Sequence, residues 1–598
     1  MANWTTGDNM ATDKTAASPE TCPTVSRRSF LKRGSKAGIG GAALATAGAE
    51  SAEGAFKWDR EADIVVIGSG AAGMPAAVAA REAGATVIIV EKNFDVGGRA
   101  ILSGGQVQLG CGNPLQTAAG VKDSPDQFFL DWTGSEGEFP VDSKMWGQFG
   151  NPLARWNDRE LIRAFADNAV DTFNFLVRNG VEFSRASGTR GPGDPRGMRN
   201  CSTKAWPIVS ERIVEPSGGH GWGSGLIRPL EKTARAKGAE ILLFHRMTQV
   251  HRETPTSGRV LGITAAIVDK WNKPTGKTVN IRARKGVIVA SGGHNGNINF
   301  RRMYDPALTE EYTTWGAPYT TKDADGELAA MAVGASLWTL SSQTNGGERQ
   351  YDRPGASIGT RYNGSPPFLP SSPAFFRTAA TGLIVRDWQN AIMVKENGKR
   401  FYEETLRGKP LGSPGWRESV RMATRWSGDP NRLNGGGPIW AIVDSEGVKR
   451  EGWNVESPWV DKKGGFFFVA DTVEELAAQV KTCPYQWRGM PGETLRATVT
   501  RYNSFVDAGK DADLDKPTPT YKIETPPFYA AWATPTLHDV MSGLRINTNA
   551  QVMDINGQVI PGLYAAGESA SAISMHGLAK GAVFGRLAAM HAAKQPIA

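Results

Sequence analysis

The sequence is poor in the side chains that hold metals and clusters, with four cysteines and seven histidines among 598 residues. Cys22 falls in an N-terminal leader, and Cys111, Cys201 and Cys483 are far apart. There is no Cys-x-x-Cys-His for covalent haem, no iron–sulfur spacing and no expected metal site. An odd count beyond the leader argues against a disulfide framework, although one bridge remains open. No stretch reaches the roughly 18 consecutive apolar residues of a membrane span. Dense basic runs are also missing. Residues 1–49 carry six Lys/Arg and three Asp/Glu, which leaves 62 basic against 57 acidic residues beyond them, a mild +5. Nucleic-acid binding needs a clustered basic surface, so no nucleic-acid partner is expected. The composition, 40% hydrophobic and 21% charged, is that of a soluble globular chain long enough for two or more domains.

What is present begins with an arginine pair. Ser26-Arg27-Arg28-Ser29-Phe30-Leu31-Lys32 precedes a short Gly/Ala-rich stretch, Ala37 to Ala49, which ends in the small-residue pattern Ala47-Gly48-Ala49. Residues 1–49 read as a twin-arginine signal peptide cleaved after Ala49. The protein is therefore expected in the periplasm, or otherwise exported by that route, already folded around a cofactor.

Asp63-Ile64-Val65-Val66-Ile67 is the β-branched run of a buried parallel strand. Gly68-Ser69-Gly70-Ala71-Ala72-Gly73 follows at once. Ala71 to Ala83 reads as a helix stopped by Gly84, and Thr86 to Val90 as a second strand with Glu91 at its end. In this βαβ order Gly68 permits the tight turn, Gly70 lets backbone approach a pyrophosphate, and Gly73 lets helix meet strand. The phosphates sit on the helix N-terminus, and Glu91 accepts from ribose hydroxyls. NAD and FAD both use such a unit. A second glycine cluster, Gly97-Gly98-Arg99 and Ser103-Gly104-Gly105, favours FAD, because it lets backbone pass beside a flat ring. Gly286 to Gly293 is another strand ending in small residues. Glu240 to Phe244 and Val260 to Ala266 read as strands of a meander.

These pieces resemble the fumarate reductase/succinate dehydrogenase flavoprotein family and its relatives the 3-ketosteroid dehydrogenases. The resemblance runs from about Asp63 to Lys594. It rests on IGSGAAGMPAA, on Glu91-Lys92 with Gly97-Gly98, on SGG at Ser103, and on VIVASGG with Ala290 and Gly292. It continues in Asp325-Gly326 opening a helix, NGKRF at Asn397 to Phe401, TVTRYNSFVDAGKDAD, PPFYA, and PGLYAAGE at Pro561 to Glu568. It implies an α/β protein: a Rossmann-like FAD-binding domain, residues 57–304 and 526–598, interrupted by an α+β cap, residues 305–525. The sequence agrees independently, since loops rich in Gly, Pro and Trp follow Asn299, and nine of the 18 tryptophans lie between Trp315 and Trp487. Most of these should fill a loop-heavy core, and one or two should line a pocket.

The resemblance also assigns roles. With the glycines named above, it brings Ala72, Lys92, Asp325, Gly567 and Glu568 to FAD, with Glu568 on ribityl hydroxyls. Gly581, Ala582 and Val583 present N–H groups to the pyrimidine edge of the ring. The histidine that anchors covalent flavin in the family has no counterpart in Gly98 to Leu102, so FAD is expected to be non-covalent. Family enzymes move a hydride between flavin and a carbon near a carbonyl, while a side chain moves a proton, forming or reducing a C=C bond. The proton carrier is Arg407, one residue early for the family motif, with Arg417 as fallback and Tyr402 as alternative. Glu403 and Glu404 lie nearby, and a purely structural Arg–Glu pair or a satisfied buried tyrosine explains these residues equally well. His538 matches a substrate-binding histidine. His576 falls where the ketosteroid enzymes place a carbonyl-polarising tyrosine.

One departure bears on substrate. Where fumarate reductases carry a carboxylate-clamping arginine, this chain reads Ser574-Met575-His576-Gly577-Leu578-Ala579-Lys580-Gly581, and Lys580 offers one charge but no bidentate fork. The reading that follows is an FAD enzyme for an aromatic enoate, enone or steroid-like small molecule, coupled to an external electron donor or acceptor. A flavin alcohol or lactone dehydrogenase or oxidase is the alternative within enzymology, and a flavin electron carrier or docking subunit the alternative outside it.

Overall fold

The computed structural model describes residues 56–133, 157–187, 199–204, 223–304, 308–317, 319–339, 358–361, 370, 375–377, 380–406, 437–534, 536–537, 540, 542–570, 573, 575 and 577–597. The leader read at residues 1–49 lies outside them. Residues 57–598 pack as one unit.

The chain enters through β1 (Arg60–Ile67), α1 (Gly73–Glu82) and β2 (Val87–Val90). After α2 (Ser224–Ala236) come β3 (Glu240–Leu242), β4 (His245–Arg252), β5 (Val260–Val268) and the long β6 (Pro274–Val289). The short helix α3 (Asp325–Met331) follows. Next come β7 (Ile392–Lys395), β8 (Ile439–Asp444), β9 (Phe467–Ala470), α4 (Val473–Val480), α5 (Gly492–Ala508) and β10 (Phe528–Trp532). The chain closes with β11 (Gln551–Met553), β12 (Val559–Ala565) and α6 (Gly577–Ala593).

The large sheet has the order β11-β12-β6-β1-β2-β3, with β5 paired to β6 and β4 to β5. Its centre is parallel: β12, β6, β1, β2 and β3 all run the same way. Such strands are covered on both faces, which is why β1 and β2 contain the unbroken runs IVVI and VIIV. Glu240–Leu242 is the edge strand of this parallel layer, not part of the meander. The meander consists of β4, β5 and β6. Phe244, at φ 60, makes the turn that separates β3 from β4. The same β-branched pattern serves a parallel edge and an antiparallel hairpin, so composition alone does not separate them.

The cap is a four-stranded antiparallel sheet, order β7-β8-β10-β9. Side chains alternate across it. Ile392, Val394, Trp440 and Ile442 pack against α4 and α5 through Leu476 and Leu495. Met393, Ala441, Val443 and Tyr529 pack on the other face with Trp388, Phe401 and Tyr402. The boundaries differ from those expected at 305 and 526. Trp315, Tyr319, Ala329 and Ala330 belong to the core of the large sheet, and the apolar strand β10 belongs to the cap. Two short ladders, Thr313–Thr314 with Thr536–Leu537 and Leu337–Thr339 with Ser542–Leu544, tie the crossings between the two parts. Among the tryptophans, Trp388 and Trp440 are core, whereas Trp459 and Trp487 are exposed.

At the end of β7, Lys395 is buried, and its ammonium donates to the Gly437 carbonyl at 3.0 Å. The Gly437 N–H in turn donates to Glu311 Oε1 at 3.0 Å, so one residue links a cap strand to the crossing segment. Burial lowers the Lys395 pKa from 10.5 to about 7, against the opposing pull of Glu311 and Glu396. Between these two values the unfolded chain holds a proton that the folded chain lacks, so this group makes stability rise with pH across that window and adds no slope below it. In urea denaturation from pH 7 to 9, wild type is expected to gain roughly 1 kcal/mol per pH unit relative to Lys395→Met. A pH-independent difference between the two would contradict the assignment.

Candidate functional site

A cavity of about 460 Å3 opens at the C-terminal ends of β1, β2 and β6, within the roughly 300–1,000 Å3 range of ligand pockets. Its floor is the turn after β1. A Cβ on Gly73 would lie 1.9 Å from the Gly68 carbonyl oxygen, and a Cβ on Gly68, at φ +92, would lie 2.5 Å from that of Ala290. Helix α6 presses on the same turn from behind, since a Cβ on Gly585 would meet the Ala72 carbonyl at 2.2 Å. No side chain can stand between these backbones, and the backbone of Gly70, Ala71 and Ala72, just ahead of α1, is left at the cavity wall.

Glu91, at the end of β2, is buried and braces the turn. Its Oε2 accepts from the Ser69 N–H at 3.0 Å and from Ser69 Oγ at 2.5 Å, and its Oε1 accepts from the Asn93 N–H at 2.9 Å. A carboxylate has about four acceptor sites, so capacity remains for a ribose hydroxyl.

Two ion-pair groups stand on the walls. Lys92 Nζ lies 2.8 Å from Asp323 Oδ2 and 3.1 Å from Asp325 Oδ2, and Arg246 Nε donates to Asp325 Oδ1 at 3.1 Å. Burial disfavours the Lys92 charge, but Asp325 and Asp323 outweigh it and raise the pKa. Burial likewise opposes ionisation of Asp323, and Lys92 overcomes it, holding that carboxyl below its usual range. In the second group Glu568 is gripped by Arg99 on one oxygen and Lys322 on the other. The Arg99 guanidinium also lies 5.1 Å over the ring of Trp315, which lines the cavity.

Of the residues read from sequence, Gly68, Gly70, Ala72, Glu91, Lys92, Gly98, Ser103, Gly104, Ala290, Gly292, Asp325, Gly567 and Glu568 line this one cavity. Gly73, Gly97 and Gly105 stand just behind the wall. Gly97 packs against Ile101 and Ile227, and the Gly105 carbonyl accepts from Thr203. Ala582 and Val583 are fully buried on α6 in the large core. Tyr402 sits in the cap core beside Phe401 and not on the cavity wall. Glu404 is committed elsewhere: it pairs with Arg400 at 2.9 and 3.0 Å and with Lys516 at 3.3 Å, while Arg400 also donates to Asp511 at 2.9 Å. That buried cluster anchors the NGKRF segment. Arg407, Arg417, His538 and His576 lie outside the described residues. Arg99, Arg246 and Lys322 were given no role from sequence, whereas Trp315 is one of the tryptophans of which one or two were expected to line a pocket. Arg99 adjoins the second glycine cluster, but Arg246 and Lys322 reach the cavity only through sheet topology and carry no local signal.

Among the described residues, no helix is long and apolar enough to cross a membrane, and no group of three metal-ligating side chains occurs. The profile of the family described as FAD binding domain matches residues 63–583. The chain is 25% identical over 550 residues to the NADH:acrylate oxidoreductase of Vibrio harveyi. That match takes in 85% of this chain but 47% of the relative, so this chain spans about half of that relative's length. It is 28% identical over 563 residues to the acrylate reductase flavoprotein subunit of Shewanella woodyi, covering 93% of this chain and 94% of that one. It is 26% identical over 630 residues to a 3-oxosteroid 1-dehydrogenase of Mycobacterium tuberculosis, covering 90% and 99%. The solved open conformation of a flavocytochrome c3 fumarate reductase matches with a TM-score of 0.58 at 24% identity, over 90% of this chain and 79% of that chain. At that identity the likeness is one of fold.

Glu91→Ala leaves the Ser69 and Asn93 N–H groups without their acceptor and removes the ribose contact. The variant is expected to retain at least tenfold less flavin after gel filtration than wild type, read from visible absorbance per polypeptide. Unchanged flavin content would remove Glu91 from the site.

Proposed function

The chain belongs to the FAD binding domain family, and we propose that it is an exported FAD-dependent oxidoreductase that forms or reduces a C=C bond next to a carbonyl. The observation that carries this reading is the single cavity shared by the glycine turn, Glu91 and the distant segment of Gly567 and Glu568. The residues present fit FAD: backbone without side chains approaches closely at Gly68 and Gly73, an acid stands at the end of β2, and cations line the path between them. The absence of an attaching histidine between Gly98 and Leu102 supports non-covalent binding.

FAD, when bound, supplies hydride transfer. The chain's own residues do the rest. The backbone of Gly70 to Ala72, just ahead of α1, holds the pyrophosphate, Glu91 the ribose, and Lys92 with Asp325 the adjoining wall. Glu568, held by Arg99 and Lys322, faces the ribityl chain. His538 and His576 polarise the substrate oxygen, and Arg407 moves the proton. With Glu404 committed to Arg400 and Lys516, Glu403 is the better candidate to tune Arg407. Glu403 Oε1 accepts from the Thr405 N–H at 2.6 Å.

The substrate is an aromatic enoate, enone or steroid-like ketone in preference to fumarate. The support is the missing clamp arginine in Ser574 to Gly581, where Lys580 is buried with its ammonium 3.5 Å from the Ala570 carbonyl. Of the relatives' names, the acrylate reductase, with a single carboxylate in its substrate, and the 3-oxosteroid dehydrogenase fit this preference, while the fumarate reductases do not. Export by the twin-arginine route rests on Ser26 to Lys32 and the stretch ending at Ala49.

Dye-reduced holoprotein mixed with acrylate, cinnamate, a cyclic enone, a 3-oxosteroid or fumarate tests the proposal. At least one of the first four is expected to reoxidise the flavin with a kcat/KM ten or more times that of fumarate. Fumarate as the best acceptor would contradict the substrate reading, and no reoxidation by any would contradict the reaction class.

A further inference from the structure

A second group of titratable side chains lies behind the cavity, and the roles given above leave it unused. Glu327, in the first turn of α3, is fully buried. Neither of its carboxyl oxygens has a hydrogen-bond partner among the described residues. An ionised carboxylate in such a place is costly, and the group keeps its proton instead. Burial above all, then the Asp325 and Glu568 charges, raise its pKa well above the ordinary value, against the pull of Lys322.

His294 faces Glu327, with Nδ1 3.8 Å from Oε1, and is equally buried. Burial, with a smaller push from Lys322, drops its pKa to about 3. At neutral pH the couple is a carboxylic acid beside a neutral imidazole. The gap is longer than a hydrogen bond, and a shift of about 1 Å closes it.

The couple lies between the cavity and the surface. On the inner side the Lys322–Glu568 ion pair lines the cavity. On the outer side Tyr304, half-buried, stacks on the His294 ring with centroids 5.2 Å apart. Burial above all pushes its phenol up to about 12. A cavity that receives electron pairs gathers negative charge, and a proton drawn from solvent relieves it.

We propose that Glu327, with His294, passes protons between solvent and the FAD cavity. The Glu327 carboxyl gives its proton towards the Glu568 carboxylate across Lys322. The carboxylate left behind regains a proton from water arriving past Tyr304 and His294. One proton moves inward, only N–H and O–H bonds break and form, and no electrons are transferred in the relay. The inference rests on the FAD-bearing reading of the cavity and not on the identity of the organic acceptor.

The test mixes purified holoprotein, weakly buffered with a pH-indicator dye, with reduced methyl viologen in a stopped-flow instrument. Flavin bleaching and proton uptake are recorded together, and no organic acceptor is present, so failure of the substrate reading leaves the measurement intact. In wild type the two signals are expected to coincide. Glu327→Gln keeps shape and neutrality but cannot release a proton; it is expected to bleach normally and take up its proton at least tenfold later. Coincident signals in Glu327→Gln would overturn the proposal. Should that variant not hold FAD, Tyr304→Phe, a change at a half-buried position, decides: a lag supports the relay and coincidence overturns it.

Discussion

The ligand side of this molecule depends on how closely three stretches of backbone pass at one turn. The Gly68 carbonyl occupies the space a Gly73 side chain would need, the Ala290 carbonyl the space beside Gly68, and the Ala72 carbonyl the space beside Gly585. These residues come from β1 and α1, from the end of β6, and from α6, which are remote in sequence and meet because β6 is the parallel neighbour of β1. Close-packed interiors tolerate such contacts only when side chains are absent. The consequence is chemical: the backbone from Gly68 to Ala72, just ahead of α1, forms the wall of a cavity.

Charge pairs organise the remaining walls, and each joins segments that the fold alone would leave independent. Lys92 after β2 and Arg246 on β4 converge on Asp323 and Asp325 at the head of α3. Arg99 and Lys322 converge on Glu568 near the C-terminus. Removing one partner of a buried pair costs about 3–5 kcal/mol, because it strands the other charge. Such pairs fix geometry more than they add net stability. Behind them, Glu327 is buried beside His294 with neither carboxyl oxygen hydrogen-bonded among the described residues, which makes it a proton store and not a clamp.

How much of this was legible in sequence follows from the range of the signal. The β1–α1–β2 unit and Glu91 were readable because their glycine spacing and β-branched runs are local. The cavity-lining segments at Ala290 and Gly567 were readable only through resemblance. The limits of the cap were not legible because β10, an apolar strand after Pro526-Pro527, has the composition of either part. Arg246, Lys322, His294 and Glu327 escaped notice because single charged residues acquire meaning only when sheet topology sets them side by side. Tyr402, read as a possible proton carrier, stands in the cap core, where an aromatic near a β-strand most often stands.

The central claim is that the cavity is built for the whole dinucleotide, with the β1–α1–β2 unit holding the half of FAD that smaller flavins lack. Titrating the apoprotein with FAD, FMN and riboflavin and following quenching of flavin fluorescence tests this directly. The account predicts binding of FAD at least a hundredfold tighter than FMN or riboflavin. Equal affinities, or no uptake of FAD, would contradict it.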